Sequence, residues 1–126
     1  MISKIIKKIY TLGFSSVCFC TINRFYLYLL NFYFKCDRWH IVSLYHCRSY
    51  KQKIVDLIND KNLNTVVEVG CGIGDIITRV NATKKFGFDK DKKILNFARY
   101  LDKNVNYLSG SFAELSKKNI KKIDLI

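Results

Sequence analysis

Residues 65–75 read Thr-Val-Val-Glu-Val-Gly-Cys-Gly-Ile-Gly-Asp, and no other stretch restricts the fold of this chain as much. Thr65, Val66, Val67 and Val69 are β-branched and surround a single acid, Glu68, which predicts a parallel strand covered on both faces. Gly70, Gly72 and Gly74 follow at alternate positions, so the chain can turn tightly and approach a ligand with no Cβ in the way. Behind them Ile76, Ile77 and Val80 fall at helical spacing, which predicts a helix whose first amides face the loop. Strand, glycine loop and helix in that order open a nucleotide-type α/β unit. Residues 85–89, Lys-Phe-Gly-Phe-Asp, predict a second strand that ends in an acid. Asp89 lies about 20 residues past the loop, where a carboxylate can accept both hydroxyls of a ribose.

Two cofactors use this layout. In the dinucleotide form, Gly-x-Gly-x-x-Gly, the last small residue falls where Asp75 stands here, and a pyrophosphate beside that carboxylate would be repelled. An adenosine that carries a sulfonium cation tolerates acids at both Glu68 and Asp75. The run Glu68-x-Gly70-Cys71-Gly72-x-Gly74 resembles the first motif of class I S-adenosylmethionine-dependent methyltransferases. The resemblance implies an α/β, Rossmann-like fold in which Glu68, Gly70, Cys71, Gly72 and Gly74 line the S-adenosyl-L-methionine pocket. It also makes Asp89 the ribose-binding acid. A dinucleotide-binding domain and a fold without a ligand stay open as alternatives.

Length and composition set the outer limits. A chain of 126 residues with 49% apolar residues holds one modest domain with a core. The net charge of +12 comes mostly from lysines spread along a chain rich in Ile, Asn, Phe and Tyr and devoid of Pro. That bias matches an AT-rich coding background, so the charge implies a basic surface suited to anionic lipid or polyanions, with no specific nucleic-acid partner expected. Cys18, Cys20, Cys36, Cys47 and Cys71 are odd in number and match no zinc spacing, so reduced thiols in the cytoplasm and no metal are expected.

The first 35 residues read as a hydrophobic, aromatic helical extension, and residues 36–126 as a partial cofactor-binding domain. Lys4, Lys7 and Lys8 precede an apolar run over 9–34 that Asn23 and Arg24 interrupt. A membrane span would place Arg24 near its centre at about 2.5–3.5 kcal/mol. A signal peptide lacks its small-residue cleavage pattern. Ile5, Ile9, Leu12, Phe25, Leu29 and Phe32 recur at helical spacing, which fits a helix packed on the domain or a peripheral helix at a membrane surface.

Residues 36–60 carry Trp39, His40, Tyr45, Arg48 and Tyr50, then a helix with Cys47, Ile54, Leu57 and Ile58 on one face. This resembles the extra helix that many class I methyltransferases place before their first strand. The Trp39-His40 pair with Tyr45, Arg48 and Tyr50 is similar to bacterial methyltransferases of surface-polysaccharide gene clusters. A bidentate contact from Arg48 to the cofactor carboxylate is one reading, and a surface ion pair is the other. His40 and His46 are too few for a metal site and have no evident acidic company.

Residues 91–102 predict a helix capped by Asp91, with Ile94, Leu95, Ala98 and Leu101 inward, and 104–109 a third strand. In the family an acid that meets the adenine amino group commonly follows; here Ser111 holds the place, and Phe112 can flank the ring. Residues 121–126 read as the start of a fourth strand. A complete class I methyltransferase continues through that strand and further ones, which carry much of the acceptor-binding wall. The expectation is therefore a truncated, cofactor-binding half, without turnover by itself and with no assignable catalytic base. A non-catalytic remnant and a membrane-surface interaction module are the rival readings.

Overall fold

The computed structural model describes residues 6, 9–10, 13–42, 44–116, 118, 120 and 122–126. Expectations that rest on Lys4, Ile5, Lys7, Lys8, Leu12 and Lys121 concern positions outside these. The described chain is mixed α/β, built on three parallel strands in the order β1 (Thr65–Val69), β2 (Lys84–Asp89) and β3 (Asn106–Ser109). In register, Val67 lies opposite Phe86, and Phe86 opposite Asn106. On the free side of β1, Leu125 forms a parallel bridge with Val66, and its carbonyl accepts from the Val67 N–H at 2.9 Å. The final residues thus flank β1, and the lateral order runs from Leu125 through β1 and β2 to β3.

Alternation along the strands divides the apolar residues between two faces, as a doubly covered parallel sheet requires. Val66 and Tyr107 join the larger core with Ile77, Leu95 and Phe97. Val67 and Phe88 point to the other face and meet Leu115. Helix α4 (Lys92–Leu101; α1–α3 are the helices before β1) lies over the larger core. Asp91 caps it by accepting from the Lys93 N–H at 2.8 Å. Ile94, Leu95 and Ala98 are buried as expected, and Phe97 joins them. After β3 the short helix α5 (Phe112–Leu115) carries Leu115 to the opposite face before the chain returns beside β1. Strand order therefore reverses at β1, and the C-terminal end of β1 is where open α/β sheets take their ligands.

The helix expected behind the glycine loop does not form. Residues 72–76 are turns, and a single 3-10 turn, Ile77–Arg79, follows. Fourteen residues, 70–83, join β1 to β2, but the glycine turns take the first of them, so only the nine residues 75–83 remain for a helix and the return to β2. Ile76, Ile77, Thr78 and Val80 add four β-branched residues to a segment too short to repay helix nucleation.

Before the sheet come α1 (Phe14–Phe34), the helical turn α2 (Trp39–Val42) and α3 (Ser49–Asn59). α1 shares the core of residues 36–126: Leu27 is buried in it, and the Phe34 ring stacks on Phe97 at 5.0 Å and 9°. In α3 the inward residues are Val55 and Ile58, whereas Leu57 is 63% exposed, contrary to the expected face.

Candidate functional site

The loop after β1 is pinned by backbone bonds. The Phe88 carbonyl accepts from the N–H groups of both Gly70 (2.8 Å) and Cys71 (2.9 Å), and the Gly74 N–H donates to the Cys71 carbonyl at 2.8 Å. Gly70, Gly72 and Gly74 all have positive φ. Beneath the loop, register sets Glu68, Gly87 and Tyr107 in one row across the sheet. Gly87 is glycine because a Cβ there would lie 2.8 Å from the Tyr107 ring and 2.9 Å from the Cys71 sulfur. The room it leaves brings the Tyr107 hydroxyl directly under Gly74. Burial pushes the Cys71 thiol up, so Cys71 packs as a small apolar residue.

Three carboxylates surround this loop. Glu68 accepts from the Ile77 N–H at 3.0 Å. Burial nevertheless pushes its carboxyl up to about 7, although that N–H and Lys51 pull the other way. Asp75 takes Nζ of Lys51 at 2.8 Å and Nη1 of Arg79 at 3.2 Å. The Arg79 guanidinium also donates to the Asp75 carbonyl at 2.6 Å and lies over the Tyr45 ring at 4.5 Å. Two cations therefore offset the charge that sequence reasoning set against a pyrophosphate, and Asp75 does not separate the two cofactors. Asp89 ends β2 with both oxygens engaged: Oδ2 accepts from the Gly72 N–H at 2.9 Å and Oδ1 from the Asp91 N–H at 3.0 Å.

His40 stands against the loop, with Nδ1 3.3 Å from where a Cβ on Gly72 would be, and its ring stacks on Trp39 at 3.6 Å. Burial lowers its pKa, while Asp89, Asp91 and Asp37 act in the opposite sense. His40 does have acidic neighbours, then, brought by β2 and the turn after it. Still, no group of three His, Cys, Asp or Glu among the described residues could hold a metal ion.

The remaining expected positions divide. Gly110 and Ser111 follow β3 next to the Asp89 backbone, where the Gly110 N–H donates to the Asp89 carbonyl at 3.0 Å. Ser111 gives its N–H (2.7 Å) and its hydroxyl (3.2 Å) to the Glu114 carboxylate, so its side chain serves the start of α5. Phe112 is 65% exposed. Arg48 is exposed and makes no ion pair among the described residues; Lys51, one turn later, is the cation that reaches the loop.

Lys51 and Tyr107 are site residues that sequence reasoning missed, and His40, noted there only as part of the Trp39-His40 pair, stands against the loop as well. A glycine inside a strand signals a close approach, so Gly87 pointed toward a bulky neighbour such as Tyr107. Nothing local marked Lys51. No family model, curated protein or solved structure matches the chain.

Proposed function

We propose that the C-terminal edge of this sheet binds S-adenosyl-L-methionine and that the chain is a methyltransferase-like protein with a Rossmann-like fold. The observation that carries this reading is the placement of Asp89. It ends the second strand, its carboxylate is held against the glycine loop by Gly72, and it sits next to the point of strand-order reversal. A carboxylate has about four acceptor sites, and backbone N–H groups take two of them, which leaves capacity for two ribose hydroxyls. In front of Gly70 a Cβ would meet nothing within 4 Å, so that side of the loop has room for a ligand.

The dinucleotide alternative is disfavoured on a different ground from Asp75. A pyrophosphate needs free amides at the start of a helix. Here a three-residue turn follows the loop, and its Ile77 N–H is already committed to Glu68. When bound, S-adenosylmethionine supplies a methyl group on a sulfonium centre, and this chain's part is to hold the adenosine on Asp89 and the loop.

Calorimetric titration tests the reading. S-adenosylhomocysteine and S-adenosylmethionine are expected to bind at least about tenfold more tightly than NAD, because the loop leads into a three-residue turn whose Ile77 N–H is taken by Glu68 and offers a pyrophosphate no helix start. Tight NAD binding with neither sulfur cofactor bound would overturn it. Asp89→Ala should lower cofactor affinity by at least about tenfold. Because Asp89 also accepts from Gly72 and Asp91, the melting temperature should fall with it. A variant that keeps full affinity would remove Asp89 from the site.

A further inference from the structure

We infer that the outward face of α1 docks on an anionic membrane surface. One side of α1, marked by Cys20, Leu27 and Asn31, is buried against the domain. The other side carries Phe14, Ile22, Phe25, Leu29 and Phe32, each between 55% and 84% exposed. Their helical spacing makes a continuous ridge about 27 Å long at 1.5 Å per residue. An apolar groove of about 720 Å³ between α1 and α4, lined in part by Leu29, Tyr33 and Tyr100, widens the same surface. Continuous apolar surface of this kind marks an interaction site, unlike scattered exposed side chains.

Charge selects the occupant. Residues 1–38 contain a single acid, Asp37, while Arg24, Lys35 and Arg38 lie on or beside α1. Arg24 falls in line with Tyr28 along the flank of the helix, and the Arg38 guanidinium covers the Tyr28 ring at 5.3 Å. An apolar ridge with cations and tyrosines at its border suits lipid tails beneath anionic headgroups. A second copy would instead bring two chains of net charge +12 together at their basic, acid-poor faces. No helix among the described residues is long and apolar enough to cross a membrane, so α1 lies along the surface.

The test is flotation of the full chain with phosphatidylcholine vesicles, with and without phosphatidylglycerol. The chain should float with the anionic vesicles and float much less with the neutral ones or at high salt. The double variant Phe25→Asp/Phe32→Asp changes two exposed positions and should cut flotation by about tenfold or more with an unaltered circular dichroism spectrum. A second variant, Arg24→Ala/Arg38→Ala, should weaken binding to anionic vesicles alone. If the wild-type chain stays at the bottom, the inference fails, whether as a monomer or as a dimer that Phe25→Asp/Phe32→Asp dissociates. Equal flotation of wild type and both variants also overturns it. Cofactor titration has no part in this outcome, so the two proposals stand or fall separately.

Discussion

Gly74→Ala is expected to destabilise the chain by about 2–5 kcal/mol, a large share of the roughly 5–15 kcal/mol that holds a domain folded. Two effects add. Gly74 has φ +76°, and a non-glycine residue in left-handed backbone costs about 1–2 kcal/mol. The new Cβ would also collide with the Tyr107 hydroxyl, and overpacking a core typically costs about 1–3 kcal/mol. Tyr107 cannot simply retreat, since its ring is held over Gly87 and is 4% exposed. The double-mutant cycle with Tyr107→Phe separates the terms. The Tyr107 hydroxyl is buried without a hydrogen-bond partner among the described residues, so Tyr107→Phe alone should stabilise by about 1 kcal/mol. In the Gly74→Ala background it should recover part of the steric loss and none of the backbone term. Denaturant titrations that find Gly74→Ala within about 0.5 kcal/mol of wild type would show that Tyr107 does not lie under the loop.

Stability should also fall as pH rises through neutrality, and Glu68 is the reason. Its carboxyl titrates near 4.5 when unfolded and at about 7 when folded. Below 4.5 both states hold the proton and the group contributes nothing. Between those values the folded state holds more protons, so stability drops with pH. Above 7 the loss is complete, at most about 3 kcal/mol for a shift of this size at 1.36 kcal/mol per pKa unit, and less because the side chain is only part-buried. Glu68→Gln keeps an acceptor for the Ile77 N–H and should flatten this slope, leaving the variant more stable than wild type at pH 8. Asp124 acts in the opposite direction at the acid end. The N–H groups of Thr65 and then Asn64 hold its carboxyl below the usual 3.8, so its contribution is lost as pH falls. A melting temperature that rises steadily from pH 5 to pH 8 would contradict the assignment for Glu68.

The strands and α4 were legible in the sequence because their signals are local. The β-branched run at 65–69, the aromatic stretch Phe86-Gly87-Phe88 ahead of Asp89, the Asp91 cap and the spacing of Ile94, Leu95 and Ala98 each need only a few neighbouring residues. The predicted helix after the loop failed for a local reason that outweighed periodicity: Ile76, Ile77 and Val80 have helical spacing but too few residues around them. The charge network of the site was not legible at all. Lys51 reaches Asp75 across 24 positions, and His40 acquires Asp89 and Asp91 only when β2 forms beside β1. The inner side of α1 was equally hidden, since its apolar residues run around the whole helix and only the partner surface selects Leu27 over Phe25.

The clasp between residues 64–67 and 124–125 bears on how the protein is made. Asp124 accepts from the N–H groups of Asn64 and Thr65, sixty and fifty-nine positions earlier. β1 pairs with β2 on one side soon after both are synthesised, but its other side finds no strand until Leu125 has emerged. At ribosomal rates of about 5–20 residues per second, that edge waits for roughly 3–12 seconds. During that interval the Thr65 carbonyl and the Val67 N–H, which later pair with Asp124 and Leu125, face any extended segment nearby. The nascent chain is therefore most vulnerable to mispairing after its glycine loop has closed and before residues 124 and 125 arrive.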